Sequence, residues 1–95
     1  MLFRSGVYVL GSVKDGKLYI GSSHDIKARL AEHNAGNVSA TKLRRPLELL
    51  YCELHASRKD AMQREMYLKT GWGRNYLERT IPDTLGTFRS KFRRV

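Results

Sequence analysis

The sequence predicts one small α+β domain, and three observations support this fold class. Alternating apolar residues at positions 6–13 and 17–21 flank the dipeptide Asp15-Gly16, which is typical of a β-hairpin turn. The segment LELLYCEL is a third strand candidate, and helix-capping residues occur between and after the strands. A chain of 95 residues fits one domain with one modest core.

The hairpin determines which side chains share a face of the sheet. If Asp15-Gly16 is the whole loop, Ser12 lies opposite Tyr19, and Tyr8 lies on the same face as Tyr19. The opposite face carries valines and is the better core face, so we expect both phenols to point to the more polar side. This register separates the tyrosines by roughly 13 Å along the strands. A bulge or a bridging group is therefore needed to bring them together.

The segment SSHDIKARLAEHNAG predicts a helix. Ser23 or Asp25 can cap its start, and Gly36 lies where a left-handed terminus is expected. Arg29 and His33 are one turn apart, so their side chains are neighbours on one helix face. Such a pair suits a bound phosphate, and the alternative is a pair that simply faces solvent.

The second half of the chain predicts a polar, basic loop (NVSATKLRRP), the third strand, a helix over 58–70 and a shorter helix over 74–80. Ser57 with Asp60 resembles a capping box at the start of the longer helix, and Gly71 is expected to end it. We place the domain at residues 1–82. Residues 83–95 are predicted to form a basic, partly disordered tail.

The charge of the chain favours a polyanionic partner. Eighteen Lys and Arg residues, eleven of them Arg, stand against nine acids, for a net charge of +9. This balance is typical of proteins that bind nucleic acid, and the alternative is a basic surface that is merely solvated. No apolar run approaches the roughly 18 residues of a membrane span. The single cysteine, Cys52, has no disulfide partner, which fits a cytoplasmic location.

Glu65 is the most informative acid. On the predicted helix it falls on the inward stripe with Ala61 and Leu68, where an unpaired carboxylate is costly. We expect an arginine or a metal ion as its partner, and a salt bridge to Arg64 or Lys69 is the alternative. A single carboxylate suits one Mg²⁺ or Mn²⁺ ion whose shell is completed by water and substrate phosphate.

The two tyrosines, taken alone, are ordinary strand residues. A phenol with a pKa of about 10 is a weak base at neutral pH. Tyr8 could serve as a base only where nearby cations stabilise its phenolate form, and Arg29 and Lys17 are the candidates.

The order of these residues resembles that of the GIY-YIG nuclease superfamily. Gly6-Val7-Tyr8 and Tyr19-Ile20-Gly21, separated by ten residues, match the two tripeptides that name the superfamily, with Val7 in place of isoleucine. The match continues through three further polar residues, Arg29, His33 and Glu65. It covers about residues 6–80, and the chain is similar to the small standalone bacterial members.

This resemblance implies a sandwich-like α+β fold in which helices flank a small three-stranded antiparallel sheet. It also implies metal-dependent endonucleolytic hydrolysis of phosphodiester bonds, here in DNA, with one Mg²⁺ or Mn²⁺ ion held by Glu65. Tyr8 would help to activate the attacking water, and Tyr19 would orient water or phosphate. Arg29 would stabilise charge on the scissile phosphate, and His33 would assist the base. Either Tyr8 or His33 could receive the proton.

The basic loop and the segment GWGRNYL are predicted to contact nucleic acid. The predicted contact residues are Lys17, Lys42, Arg44, Arg45, Arg74 and Asn75. Asn75 is included because some family members carry an asparagine after the glutamate, whereas Gly6 and Gly21 are expected to let backbones approach closely. A lone tryptophan is usually a core residue, so we expect Trp72 in the core rather than stacked on a base.

Two other functions are compatible with part of this pattern. One is a non-catalytic nucleic-acid-binding module with the same fold, and the other is an RNA- or ribosome-associated basic protein. The latter accounts for the charge but not for the ordered set of Tyr, Tyr, Arg, His and Glu. Single-stranded, branched and duplex substrates are all compatible with the sequence, as is any oligomeric state.

Overall fold

A three-stranded antiparallel sheet forms the centre of the molecule. The computed structural model describes residues 5–91. Its elements are β1 (Ser5–Ser12), β2 (Leu18–Ser23), α1 (Ile26–Ala35), a 3₁₀ turn (Lys42–Arg44), β3 (Leu47–His55), α2 (Arg58–Leu68), α3 (Gly71–Thr80) and α4 (Pro82–Ser90). The strand order is β2-β1-β3, and β1 pairs antiparallel with both neighbours. The predicted fold class is confirmed.

The hairpin register differs by two residues from the prediction. Tyr19 lies opposite Leu10 rather than Ser12. The backbone N–H of Ser12 donates to the carbonyl of Lys17 at 2.9 Å, so that four residues, not two, form the loop. Because the shift is even, it preserves the predicted faces. It also leaves Tyr8 and Tyr19 only two strand positions apart, and no bridging group is needed.

Helices cover both faces of the sheet, which corrects the expectation of a polar side. The valine face packs against residues of α2, α3 and α4, namely Ala61, Leu68, Leu77 and Leu85. On the opposite face, Tyr8 and Leu10 pack against Ile26 and Leu30 of α1. Every residue of the central strand β1 is buried. The ring of Tyr8 therefore lies beneath a helix, with only 2% of the residue exposed.

Local signals account for most helix ends. Of the two candidate caps for α1, Asp25 is the N-cap, and Gly36 ends the helix with a φ of 84°. The Ser57 side chain caps α2, as predicted. Gly71 does not end α2, however, because it is the first residue of α3, where Thr70 is the N-cap.

The segment after residue 82 differs from the predicted tail. Residues Pro82–Ser90 form α4, and Leu85 and Phe88 on this helix are buried, so this segment packs into the domain. The predicted tail cations Arg93 and Arg94 lie outside the described residues. Within residues 5–91, no helix has both the length and the apolarity needed to cross a membrane.

Candidate active site

Three of the predicted site residues, Tyr8, Tyr19 and His33, form one aromatic cluster between the hairpin and α1. The ring centroids of His33 lie 5.6 Å from Tyr8 and 5.0 Å from Tyr19, and those of the two tyrosines lie 6.4 Å apart. The cluster forms because both tyrosines face α1. His33, in the last turn of that helix, is completely buried against them.

A chain of hydrogen bonds runs through this cluster. The Tyr8 hydroxyl lies 2.8 Å from Nε2 of His33, and Nδ1 of His33 lies 2.7 Å from Oγ1 of Thr41. Thr41 is fully buried. The sequence analysis missed Thr41 because it lies in an irregular polar loop, where no periodicity indicates which side chain turns inward.

The environment keeps both buried groups neutral. Burial, and secondarily the charge of Arg29, lowers the pKa of His33. Burial also raises the pKa of Tyr8, although the nearby Arg29 guanidinium opposes this effect. Arg29 thus favours the phenolate form of Tyr8, as suggested from the sequence, but burial outweighs this effect in the free protein. Lys17 lines a separate cavity beside the hairpin turn, and Tyr8 is a phenol hydrogen-bonded to a neutral imidazole.

Arg29 connects the buried cluster to the surface. Its proximity to Tyr8 and to Glu32 raises the pKa of Arg29, and its Nη1 lies 3.2 Å from Oε1 of Glu32. The side chain, 37% exposed, forms part of the wall of a surface cavity of about 480 Å³ together with Ser22. The guanidinium can thus contact a ligand in this cavity while it remains close to the Tyr8 hydroxyl.

Both carboxylate oxygens of Glu65 have partners. Oε1 accepts a hydrogen bond from Oγ of Ser22 at 2.7 Å, and Oε2 accepts one from Nζ of Lys69 at 2.8 Å. The expected arginine partner is wrong, and the alternative salt bridge to Lys69 is present. Glu65 is nevertheless not remote from the cluster, because its charge contributes to the raised pKa of Tyr8. Ser22 directly follows the second tripeptide, and sequence reasoning missed it.

The donors beside Glu65 match the chemistry of a hard divalent cation. A carboxylate and a serine hydroxyl are oxygen ligands, as Mg²⁺ and Mn²⁺ prefer. Within residues 5–91 there is no group of three or more His, Cys, Asp or Glu side chains placed to hold a metal together. The residues therefore fit one weakly held Mg²⁺ or Mn²⁺ whose remaining ligands are water and substrate oxygens, rather than a closed zinc site.

The glycines of both tripeptides lie at close approaches, as expected. A Cβ atom on Gly21 would lie 2.6 Å from the Tyr8 hydroxyl, and one on Gly6 would lie 2.5 Å from Cδ1 of Ile26. The first distance explains why the phenol of β1 can lie against the backbone of β2. Any side chain at position 21 would displace the Tyr8 hydroxyl.

The predicted nucleic-acid contacts are divided between two surfaces. A cavity of about 680 Å³ between the hairpin turn, α3 and α4 includes three of them in its wall, Lys17, Arg44 and Arg74. A separate cavity of about 470 Å³ includes two others, Lys42 and Arg45. Asn75 is exposed on α3 and lines neither cavity. Trp72 is 76% exposed, so the expectation that it belongs to the core is wrong.

Comparisons with known proteins agree with the fold. A family model described as the GIY-YIG catalytic domain matches residues 4–76. UPF0213 proteins of Staphylococcus haemolyticus and Staphylococcus epidermidis are 45% and 42% identical over 65 residues, in each case 67% of this chain and 78% of the relative. The solution NMR structure of a UPF0213 protein from Bacillus halodurans is 26% identical with a TM-score of 0.53, and the match covers 90% of this chain and 94% of that one.

Proposed function

The chain belongs to the GIY-YIG catalytic domain family, a family of nucleases, and on that premise we propose that it is an endonuclease that hydrolyses phosphodiester bonds in DNA with one Mg²⁺ or Mn²⁺ ion. One observation carries the proposal. The Tyr8 hydroxyl is hydrogen-bonded to His33, and the charges of the Arg29 guanidinium and the Glu65 carboxylate both act on the pKa of Tyr8. The net charge of +9 supports a polyanionic substrate.

In this proposal His33 is the final proton acceptor. The attacking water gives its proton to the Tyr8 oxygen, while the Tyr8 hydroxyl proton moves to Nε2 of His33 across their 2.8 Å hydrogen bond. The tautomer that carries its hydrogen on Nδ1 donates to Thr41 and leaves Nε2 free to accept. Tyr8 thus takes part without existing as a phenolate in the free protein, which its raised pKa disfavours.

The substrate phosphate itself helps this transfer. A buried imidazolium beside Arg29 is unfavourable, since both carry positive charge, and a phosphodiester bound at Arg29 offsets that repulsion. Arg29 also stabilises the negative charge that develops on the phosphoryl oxygens. Tyr19, in contact with the His33 ring, orients the water or the phosphate.

Glu65, with the Ser22 hydroxyl beside it, is the group that would hold the metal ion. The ion, when bound, supplies Lewis-acid stabilisation of charge on the phosphate. The protein contributes the position of the carboxylate, which Ser22 fixes by its 2.7 Å hydrogen bond.

A second candidate function, a non-catalytic nucleic-acid-binding module, is favoured by the Lys69 ammonium group. Its Nζ atom donates a hydrogen bond to Oε2 of Glu65 at 2.8 Å. This ion pair neutralises the charge of the only acid that we assign to the metal ion. In such a module Glu65 would serve the fold alone, and the basic surface would bind nucleic acid without cutting it.

Cleavage of labelled single-stranded, duplex, forked and RNA substrates, with Mg²⁺, Mn²⁺ or EDTA, tests the proposal. We expect metal-dependent internal cuts in DNA and a loss of about 10²-fold or more for Glu65→Gln. Glu48→Gln, which removes an exposed ion-paired carboxylate elsewhere, is the matched control and should cut normally. Unchanged cleavage by Glu65→Gln would overturn the mechanism. Tight DNA binding without cleavage by the unmodified protein would favour the binding module.

A further inference from the structure

The Glu65 carboxylate lies between two basic surface cavities. Ser22, which donates to its Oε1 atom, lines the cavity of about 480 Å³ that contains Arg29. Lys69, which donates to its Oε2 atom, lines a different cavity of about 300 Å³ with Tyr19 and Arg74. Along the open edge strand β2, the candidate metal-binding acid therefore has a basic depression on each side.

The first of these cavities carries two basic residues that have no role in the site described above. His24 and Arg58 line it beside Arg29 and Ser22. Arg29 is ion-paired with Glu32 in the wall of the same cavity. Within residues 5–91, Arg58 has no acidic partner, and its charge is available to a ligand.

The position of Arg58 at the start of α2 is electrostatically unfavourable for that helix. It is the first residue of α2, and a cation in the first turn of a helix is disfavoured by the helix dipole. Every acid of the described chain is ion-paired with another residue or lies at a helix start, and none of them pairs with Arg58. An anion bound in the cavity beside Arg29 would give Arg58 a partner.

The second cavity continues the basic surface in the other direction. Arg74 and Leu18 line both this cavity and the larger one that contains Lys17. Arg74 is exposed and, within the described residues, has no ion pair. The depressions thus follow β2 from Ser23 to Leu18, over roughly 17 Å at 3.3–3.4 Å per residue.

We infer that the sugar–phosphate backbone of one nucleic-acid strand lies along the edge of β2 and passes over Glu65. A phosphate on one side of the cut is held by Arg58 and His24, and phosphates on the other side are held by Lys69 and Arg74. This inference rests on the proposed function, since it takes Glu65 to mark the scissile bond. A strand held on both sides of the cut is the substrate of an endonuclease, because a terminal nucleotide would fill only one cavity.

Binding measured without cleavage tests this path. In EDTA, the fluorescence anisotropy of a labelled oligonucleotide is followed over a salt series for Arg58→Ala, Arg74→Ala and the double variant. Each lost phosphate contact should lower the slope of log K against log salt by about 0.7–0.9. In the double variant the slope should fall by the sum of the two single effects.

Matched controls lie on the same helices. Lys59→Ala removes the neighbouring cation on α2, and Arg79→Ala removes an exposed cation on α3, and neither residue lines these cavities. Both controls should leave the slope unchanged. Equal slope changes in the test and control variants would contradict the proposed path. They would indicate that nucleic acid binds to a diffuse basic surface. Because no cleavage is needed, failure of the proposed hydrolysis would leave this result interpretable. Circular dichroism confirms that each variant is folded.

Discussion

The Tyr8 hydroxyl and Nε2 of His33 lie 2.8 Å apart, although the two residues are 25 positions apart in the chain. Their meeting depends on β2, where Gly21 leaves room for the phenol. It also depends on Thr41, which holds the other ring nitrogen of His33. A buried phenol and a neutral imidazole that share a hydrogen bond can pass a proton, whereas either group alone would be poorly placed to remove one from water.

Removing the Tyr8 hydroxyl should abolish proton transfer while the ring keeps its packing. For Tyr8→Phe we expect single-turnover cleavage to fall by about 10²-fold or more, because general-base assistance contributes about that much. DNA affinity should stay close to that of the unmodified protein. The matched control is Tyr51→Phe, which removes a strand phenol that bonds to Glu53 away from the site. Wild-type cleavage by Tyr8→Phe would exclude the phenol from the proton path.

Thr41 should control both stability and the tautomer of His33. Thr41→Val keeps the volume but leaves Nδ1 of a buried imidazole without a partner, which should lower the free energy of unfolding by about 1–3 kcal/mol. Thr41→Ser restores the hydroxyl and should recover most of that loss. Urea denaturation measures both variants. Equal stability of the valine and serine variants would contradict the hydrogen bond.

The lowered pKa of His33 predicts a loss of stability on mild acidification. The unfolded chain binds protons at its histidines near pH 6.5, whereas the buried His33 resists protonation. Its contribution to stability is therefore complete above about pH 6.5 and is lost as the pH falls toward the lower folded-state pKa. The hydrogen bond with Arg44 lowers the pKa of Asp15 to about 2, so the contribution of Asp15 to stability changes only at more acidic pH.

Urea denaturation between about pH 7.5 and pH 5.5 isolates this effect, since carboxylates titrate mainly below that range. His33→Gln removes the titrating group and should flatten the dependence of the unfolding free energy on pH. An equally steep dependence in this variant would assign the acid sensitivity to other groups.

Local signals predicted the sheet and the first helices, because these depend on near neighbours in the chain. Asp25, Gly36 and Ser57 act where their types are usually found. The same logic explains a missed helix. Residues 83–95 were predicted to form a tail, but proline is favoured at the first helical position, and Pro82 begins α4 with Asp83 in the first turn.

The sequence indicated which residues to consider for the candidate site, but not their geometry. Arg29 and His33 share a helix face, yet the structure buries His33 completely and leaves Arg29 partly exposed. Only the packing of α1 on the sheet makes this distinction. The hairpin register was wrong because Asp15-Gly16 also fits the end of a four-residue loop. Thr41 could not be identified from the sequence. Its role depends on a hydrogen bond with His33 across an irregular loop, which no local sequence pattern predicts.

The Lys69–Glu65 ion pair should weaken the binding of a divalent cation by the free protein. Lys69 holds Oε2 at 2.8 Å, but its side chain is 53% exposed, and exposed pairs contribute only about 0.2–1 kcal/mol. For Lys69→Met we therefore expect Mn²⁺ to bind about 1.4- to 5-fold more tightly in the absence of DNA. Electron paramagnetic resonance of free Mn²⁺ measures this without any cleavage.

The control for that measurement is Lys59→Met, which removes one positive charge from the same helix at an exposed position that has no acidic partner in the described chain. It should change Mn²⁺ affinity less than Lys69→Met, because only the latter frees a carboxylate oxygen. Adding Glu65→Gln to Lys69→Met should remove the gain. Equal effects of the two lysine substitutions would mean that overall charge, and not competition for Glu65, determines how tightly the cation binds.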